Sequence, residues 1–206
     1  MKKHFIIVVA IVVITTLSGC LSTLHPLFTE KELVFDPRLL GAWKTDGPDT
    51  LFFERGTAES FNQLPESLRR LASKAYVVRA KDDNEEIRYY VFLTRLGKEL
   101  YLDYFPCESK TRLQYDNFYK QHLVKMHSLY RIRFQNDGKF EVSQFDEGFL
   151  EDLIKNKKLR IQHEVRFDGS YVITAPTEEL QQYVLKYSDV PAAYYADHDA
   201  TYIKIN

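Results

Sequence analysis

The sequence predicts a mainly β fold: an antiparallel sheet that curls or closes on itself, carrying about three short helices. Three observations point there. Large planar side chains are abundant, with 14 Tyr and 14 Phe among 206 residues, and they suit pleated surfaces and apolar interiors better than helical bundles. Runs in which apolar and polar residues alternate recur through most of the chain, separated by short polar turns. The composition is globular, at 45% hydrophobic and 28% charged with 8 Gly and 7 Pro, which excludes disordered, collagen-like and coiled-coil chains. The 28 basic and 29 acidic residues give no electrostatic ground for a nucleic-acid partner.

In chain order, Met1-Lys2-Lys3-His4 is a short positive start, and Phe5 to Leu17 is an apolar run broken only by Thr15 and Thr16. That is the layout of a secretory signal peptide. The run falls short of the roughly 20 residues that a helix needs to cross a bilayer. Next comes Leu17-Ser18-Gly19-Cys20, an apolar branched residue, two small residues and a cysteine. These four residues resemble the lipobox of bacterial lipoproteins, which implies that residues 1–19 are a lipoprotein signal peptide and 20–35 a lipidated tether, with 36–206 expected to be a single β-rich domain.

Asp36-Pro37-Arg38-Leu39-Leu40-Gly41-Ala42-Trp43-Lys44 reads as a turn of helix entering a strand, with the sole tryptophan at the entry. Pro65 opens a helix whose Leu68, Leu71, Ala72 and Ala75 form a stripe. A strand over Ala75–Ala80 follows, joined through the polar 81–85 turn to a strand with Ile87, Tyr89, Val91 and Leu93 on one face. Leu96-Gly97-Lys98-Glu99 turns the chain into Leu100–Phe105, which Pro106 ends. Tyr130, Ile132 and Phe134 alternate with Arg131 and Arg133, and after Asn136-Asp137-Gly138 the run with Phe140 and Val142 completes a hairpin. Asp146 caps a helix with Phe149, Leu150, Leu153 and Ile154 on one side, acidic early and basic late. Leu159, Ile161, His163, Val165 and Phe167 share one parity of a long strand that turns at Asp168-Gly169 into Tyr171–Thr174. Pro176 opens a third helix, with Leu180, Tyr183, Val184 and Tyr187 on its buried side, and Thr201–Ile205 is the last strand. Eight to ten strands joined mostly by short turns predict a calycin- or lipocalin-like antiparallel barrel; a half-barrel with the helices on one face is the alternative.

Two resemblances add to this reading. Leu17-Ser18-Gly19-Cys20 looks like the lipobox of bacterial lipoproteins, which implies that Cys20 carries a diacylglyceryl thioether and, on its freed amine, a further acyl chain such as palmitate. Leu21 stands where an aspartate would signal inner-membrane retention, and no acidic cluster follows. The implied address is the cell envelope, at the outer membrane facing the periplasm. The stretch Phe35 to Trp43, with Gly41-Ala42-Trp43, is similar to the Gly-x-Trp opening motif of lipocalins, whose tryptophan closes one end of the barrel. His25-Pro26-Leu27-Phe28, Leu40-Gly41-Ala42-Trp43 and Thr174 to Gln181 resemble an uncharacterised family of bacterial lipoproteins, which implies location and no mechanism.

The search for chemistry is mostly negative. No Gly-x-Ser-x-Gly, phosphate loop, dinucleotide fingerprint or His-Glu-x-x-His is present. We expect no enzyme, no cofactor and no metal. His122 and His127, an odd number of residues apart, point to opposite faces of a strand and cannot share a metal. Asp197-His198-Asp199 reads as solvated loop, and Lys155-Asn156-Lys157-Lys158 as a solvated helix end. With Cys20 lipidated, Cys107 has no intrachain partner and reads first as a buried inert thiol, then as one half of an intermolecular disulfide, and last as a nucleophile. Parity makes Asp103, His122 and His163 candidate polar groups of a barrel interior. With Trp43 they form the expected ligand-binding set, for an apolar small molecule or, alternatively, within a packed barrel that docks an envelope protein.

Overall fold

A computed structural model describes residues 21–45, 50–81, 86–107, 122–136, 138–196 and 199–205. Its strands are β1 (Ser22–Thr23), β2 (Gly41–Lys44), β3 (Thr50–Arg55), β4 (Ala75–Lys81), β5 (Glu86–Leu96) and β6 (Glu99–Pro106). After these come β7 (His127–Gln135), β8 (Lys139–Gln144), β9 (His163–Val165), β10 (Tyr171–Ile173) and β11 (Ala200–Ile205). The helices are α1 (Glu66–Arg69), α2 (Glu147–Lys155) and α3 (Thr177–Tyr187). None of the described helices is long and apolar enough to cross a membrane.

Strands β2 to β8 pair each with the next, β11 fills the gap between β8 and β2, and β6 also pairs with β7. Every one of these pairings is antiparallel, so eight strands close a barrel and leave it no free edge. The expected mainly β, calycin-like barrel is the architecture observed. Beside it, β1 pairs with both β7 and β10, and β9 with β10, forming a small flap of sheet.

Over much of the barrel both faces of the wall are covered. One set of inward side chains, including Trp43, Phe53, Tyr76, Val91, Leu102 and Phe140, packs the lumen. The outer face of β6, β7 and β8 lies under α2, α3 and the flap, with Tyr101, Leu129 and Phe145 meeting Leu150, Leu180 and Val184. The outer face of β4 and β5 is covered by Phe28, Leu33, Phe61 and Leu64. Helix α2 starts where Asp146 accepts the Phe149 amide at 3.2 Å. All four residues expected on the inner side of α3 are buried.

Three expectations need correction, and one strand was not foreseen. Residues 21–35 are part of the packed body rather than a tether: Leu21 and Leu27 are completely buried, and Leu33 bridges to Thr94. The outer wall beneath them is apolar, and these side chains are what removes it from water. The strand expected across residues 159–167 is only His163–Val165, because Gln162 O accepts the amides of both Thr174 and Ala175, and the ladder ends there. The helix opened by Pro65 stops at Arg69, and Ala75 already belongs to β4. Strand β3 had no counterpart in the sequence reading.

Candidate functional site

The lumen is built in layers. At one end the segment Val34–Leu40 crosses the barrel, shaped by a 3-10 turn over Pro37–Leu39 that Asp36 caps through the Arg38 amide. The Tyr76 hydroxyl accepts the Asp36 amide at 2.7 Å and donates to the Asp36 carbonyl at 3.0 Å, while Phe35 stacks on its ring. Burial pushes the Tyr76 phenol up to about 12. Trp43 donates its indole N–H to Leu39 O at 2.7 Å, so the strand and the turn that plug this end are tied directly. Above them Trp43, Phe53 and Phe140 meet edge to face, at centroid distances of 4.5 and 6.2 Å from Phe140. Each of the three is at most 2% exposed, which makes this layer a floor.

Towards the opposite end the inward residues change. Tyr89, Tyr104, Tyr130 and Tyr202 line the wall, with Leu51, Val142 and Ala200 between them. Tyr104 meets Tyr89 at 5.6 Å and Tyr130 at 5.4 Å, and Tyr202 stacks on Phe140 at 4.9 Å, directly over the floor. All seven are only partly buried, although they face inward. Tyr104 is the most telling. Protein surrounds it closely enough that burial, and then the neighbouring Tyr202, Tyr130 and Tyr89, hold its phenol well above the ordinary value. Yet the residue is still partly reached by solvent. A group that is enclosed and reachable at once lines a mouth. The result is an inward-facing layer of tyrosines packed on one another over the floor, an aromatic surface whose chemistry suits an apolar ligand.

Of the expected ligand-binding residues, only Trp43 faces this lumen. Asp103 is fully buried but on the outer wall, where its carboxylate meets His127 Nδ1 at 2.6 Å and accepts the Leu27 amide at 2.7 Å. His122 is exposed in a turn ahead of β7, which begins only at His127, so the assumed strand parity does not extend to it. His163 lies on the outer strand of the flap, its Nδ1 donating to Ile161 O at 2.8 Å and its ring near Tyr171. The four are therefore not brought together. Cys20, Asp197 and His198 lie outside the described residues. Of the tyrosines that do converge, Tyr89 shared a parity set with Leu93 and Tyr130 one with Ile132; Tyr104 lay on the parity opposite to the one expected inside, and Tyr202 in no set, so the convergence itself was not legible.

Other surfaces offer less. A groove of about 360 Å³ on the outer wall involves Arg79 and Arg88, but Arg79 is held by Glu54 at 2.7 Å and Glu86 at 3.2 Å, and Arg88 by Glu86 at 2.8 Å. Cys107 packs beside Phe105 against the cluster under α1, and burial pushes its thiol up to about 11, away from nucleophilic use. Among the described residues no three His, Cys, Asp or Glu side chains gather as a metal site requires. In comparisons with protein-family models, with curated proteins and with solved structures, the chain matches none.

Proposed function

We propose that this chain is a lipid-anchored protein of the bacterial cell envelope whose barrel takes up an apolar small molecule through the tyrosine-lined mouth. The carrying observation is the contrast along the lumen: a floor of Trp43, Phe53 and Phe140 out of contact with solvent, beneath inward-facing tyrosines that solvent reaches. The Leu17-Ser18-Gly19-Cys20 sequence supports the anchor, because two or three acyl chains, at roughly 0.8 kcal/mol per buried methylene, retain a protein at a membrane without a spanning helix. In this reading the outer membrane holds Cys20 and the body faces the periplasm. The role is binding or carriage, with neither a cofactor nor a nucleic acid.

A fluorescence titration with the apolar dye N-phenyl-1-naphthylamine tests the lumen. The purified protein should give a saturable rise. Ala200, small and on the same face as Val142 in the mouth, provides the control, because Ala200→Phe should weaken binding about ten-fold, or roughly 1.4 kcal/mol. A dye response that ignores this substitution rules out the lumen. No response at all leaves the other sequence-based reading, a packed barrel that docks an envelope protein. Intact mass of the protein from its native membrane tests the anchor separately, through cleavage before Cys20 and added acyl mass.

A further inference from the structure

The flap leaves one apolar feature uncovered. Between β9 and β10 the chain turns over Arg166–Ser170, with the Ser170 carbonyl accepting the Arg166 amide at 2.9 Å and the Arg166 carbonyl accepting the Gly169 amide at 2.9 Å. Asp168 Oδ1 accepts the Ser170 amide at 3.0 Å and its hydroxyl at 2.6 Å, while Gly169 takes φ +86°. These bonds hold the turn in one shape. At its apex Phe167 is fully exposed, and Val165 is more than half exposed. A single exposed apolar residue is ordinary on a protein surface, so the significance of Phe167 lies in where its turn stands relative to the start of the folded chain.

Strand β1 runs parallel to β10 with Ser22 opposite Val172, so Leu21 is level with Tyr171 and the chain enters from the side of the turn. Cys20 is one peptide bond, about 3.8 Å, before Leu21. Strand β9 is two strands across from β1, at about 4.8 Å per strand, so the chain ahead of Leu21 enters on the same side of the flap as the Phe167 turn, about 10 Å from it across the sheet. By its pairings β9 runs in the sense of β7, which goes from mouth to floor, so the turn points away from the mouth.

We propose that Phe167, with Val165, inserts into the bilayer that holds the acyl chains of Cys20, giving the barrel a second membrane contact that turns its mouth away from the surface. This rests on the lipid anchor proposed above. One ring and one valine are too little to recruit a protein from solution, but for a protein already tethered they decide its orientation. Arg166 and Asp168 flank the ring with opposite charges, so the contact is apolar rather than a response to anionic lipid.

Brominated-lipid quenching tests this on the acylated, full mature protein in phosphatidylethanolamine vesicles. Trp43, the only tryptophan, is buried in the floor and supplies a constant background. In Phe167→Trp the added emission should fall about two-fold with bromine in the acyl chains, as for an indole at the headgroup boundary. Val124→Trp, at an exposed apolar residue just ahead of β7 on the mouth side, should lose none. Equal quenching of the two variants on vesicles that float with the protein overturns the orientation and leaves the anchor intact, as does quenching of Phe167→Trp only when phosphatidylglycerol is added. A protein that carries no acyl mass and stays off the vesicles overturns the anchor itself, and the docking with it. Phe167 makes no contact that folding needs, so its replacement leaves the circular dichroism unchanged.

Discussion

His127 Nδ1 and Asp103 Oδ1 lie 2.6 Å apart on the outer wall of the barrel, both buried, and the second carboxylate oxygen of Asp103 accepts the Leu27 amide at 2.7 Å. The bond joins neighbouring strands β6 and β7, and through Leu27 it reaches the segment that leads in from the N-terminus. Thr23, directly opposite His127 in the ladder, is completely buried as well. The pair is thus a fastening for residues 21–33 rather than a group of the lumen.

Asp103→Ala should therefore loosen one segment before it unfolds the protein. It strands the imidazole of His127 and the amide of Leu27 without their partner, at about 1–3 kcal/mol for each buried group left unpaired. Hydrogen exchange should show residues 21–33 losing protection while β4 and β5 keep theirs. Equal loss across the barrel would show that the pair belongs to the global core and does not fasten a segment.

The floor and the mouth should respond differently to truncation. Phe140 touches Trp43, Phe53 and Tyr202, so Phe140→Ala should cost about 3–5 kcal/mol and move the Trp43 emission to longer wavelength as water enters. Tyr104→Leu removes a partly exposed ring at the mouth and should cost less than half as much, while changing dye affinity. Chemical denaturation of the two variants with dye titration separates stability from binding. Equal destabilisation by both would mean that no open mouth exists.

The barrel strands were legible where one face alternates with the other, as from Ile87 to Leu93. Strand β3 was not, because Leu51, Phe52 and Phe53 are apolar in succession. Phe53 fills the lumen while Phe52 lies under the Arg79 guanidinium, 5.0 Å away on the outer wall, so both faces want apolar residues and the period-2 signal disappears. The same double burial misplaced Asp103. Parity correctly grouped it with Tyr101 and Phe105, but parity does not say which face is the lumen, and here that row lies outward beneath the N-terminal segment and α3. Residues 21–35 have no period because their side chains fill gaps on a curved wall instead of forming an element of their own. His122 failed for a simpler reason, since the strand that would give it a face starts five residues later.

Alkali should unfold the protein through its tyrosines. Burial raises the phenol of Tyr76 to about 12, and also raises those of Tyr101, Tyr104, Tyr183 and Tyr194. A raised pKa means that the native state holds its proton where the unfolded chain has lost it. Their stabilising effect is thus complete below about pH 10 and is lost as pH rises from there, through about 12 for Tyr76, at up to about 1.4 kcal/mol per pH unit for each tyrosine. Phenolate absorbance should accordingly appear in two stages, exposed tyrosines first and the rest only with the loss of near-ultraviolet circular dichroism. A single smooth titration of all 14 tyrosines in the folded protein would contradict the packing of both the lumen and the outer wall.

Gly56, just beyond β3, is buried where the chain turns under the cluster that covers β4 and β5. Its amide donates to Ala75 O at 2.9 Å, which brings its Cα close to the 3-10 turn over Ala72–Lys74. A Cβ at this position would stand 2.4 Å from Ala72 O, 2.8 Å from a ring carbon of Phe61 and 3.1 Å from Ala75 O. Two of those three atoms are backbone, so no rotamer change relieves the contact, and the Phe61 ring is itself held against Tyr90 at 4.6 Å. Gly56→Ala should therefore cost about 2–3 kcal/mol by overpacking, a fall in Tm of roughly 5–10 °C for a chain of this length. Phe61→Leu in the same molecule removes only one of the three clashes and should recover less than half of the loss. A Tm for Gly56→Ala within a degree of the native protein's would mean that the turn and the end of β3 are not joined as closely as the Ala75 bond requires.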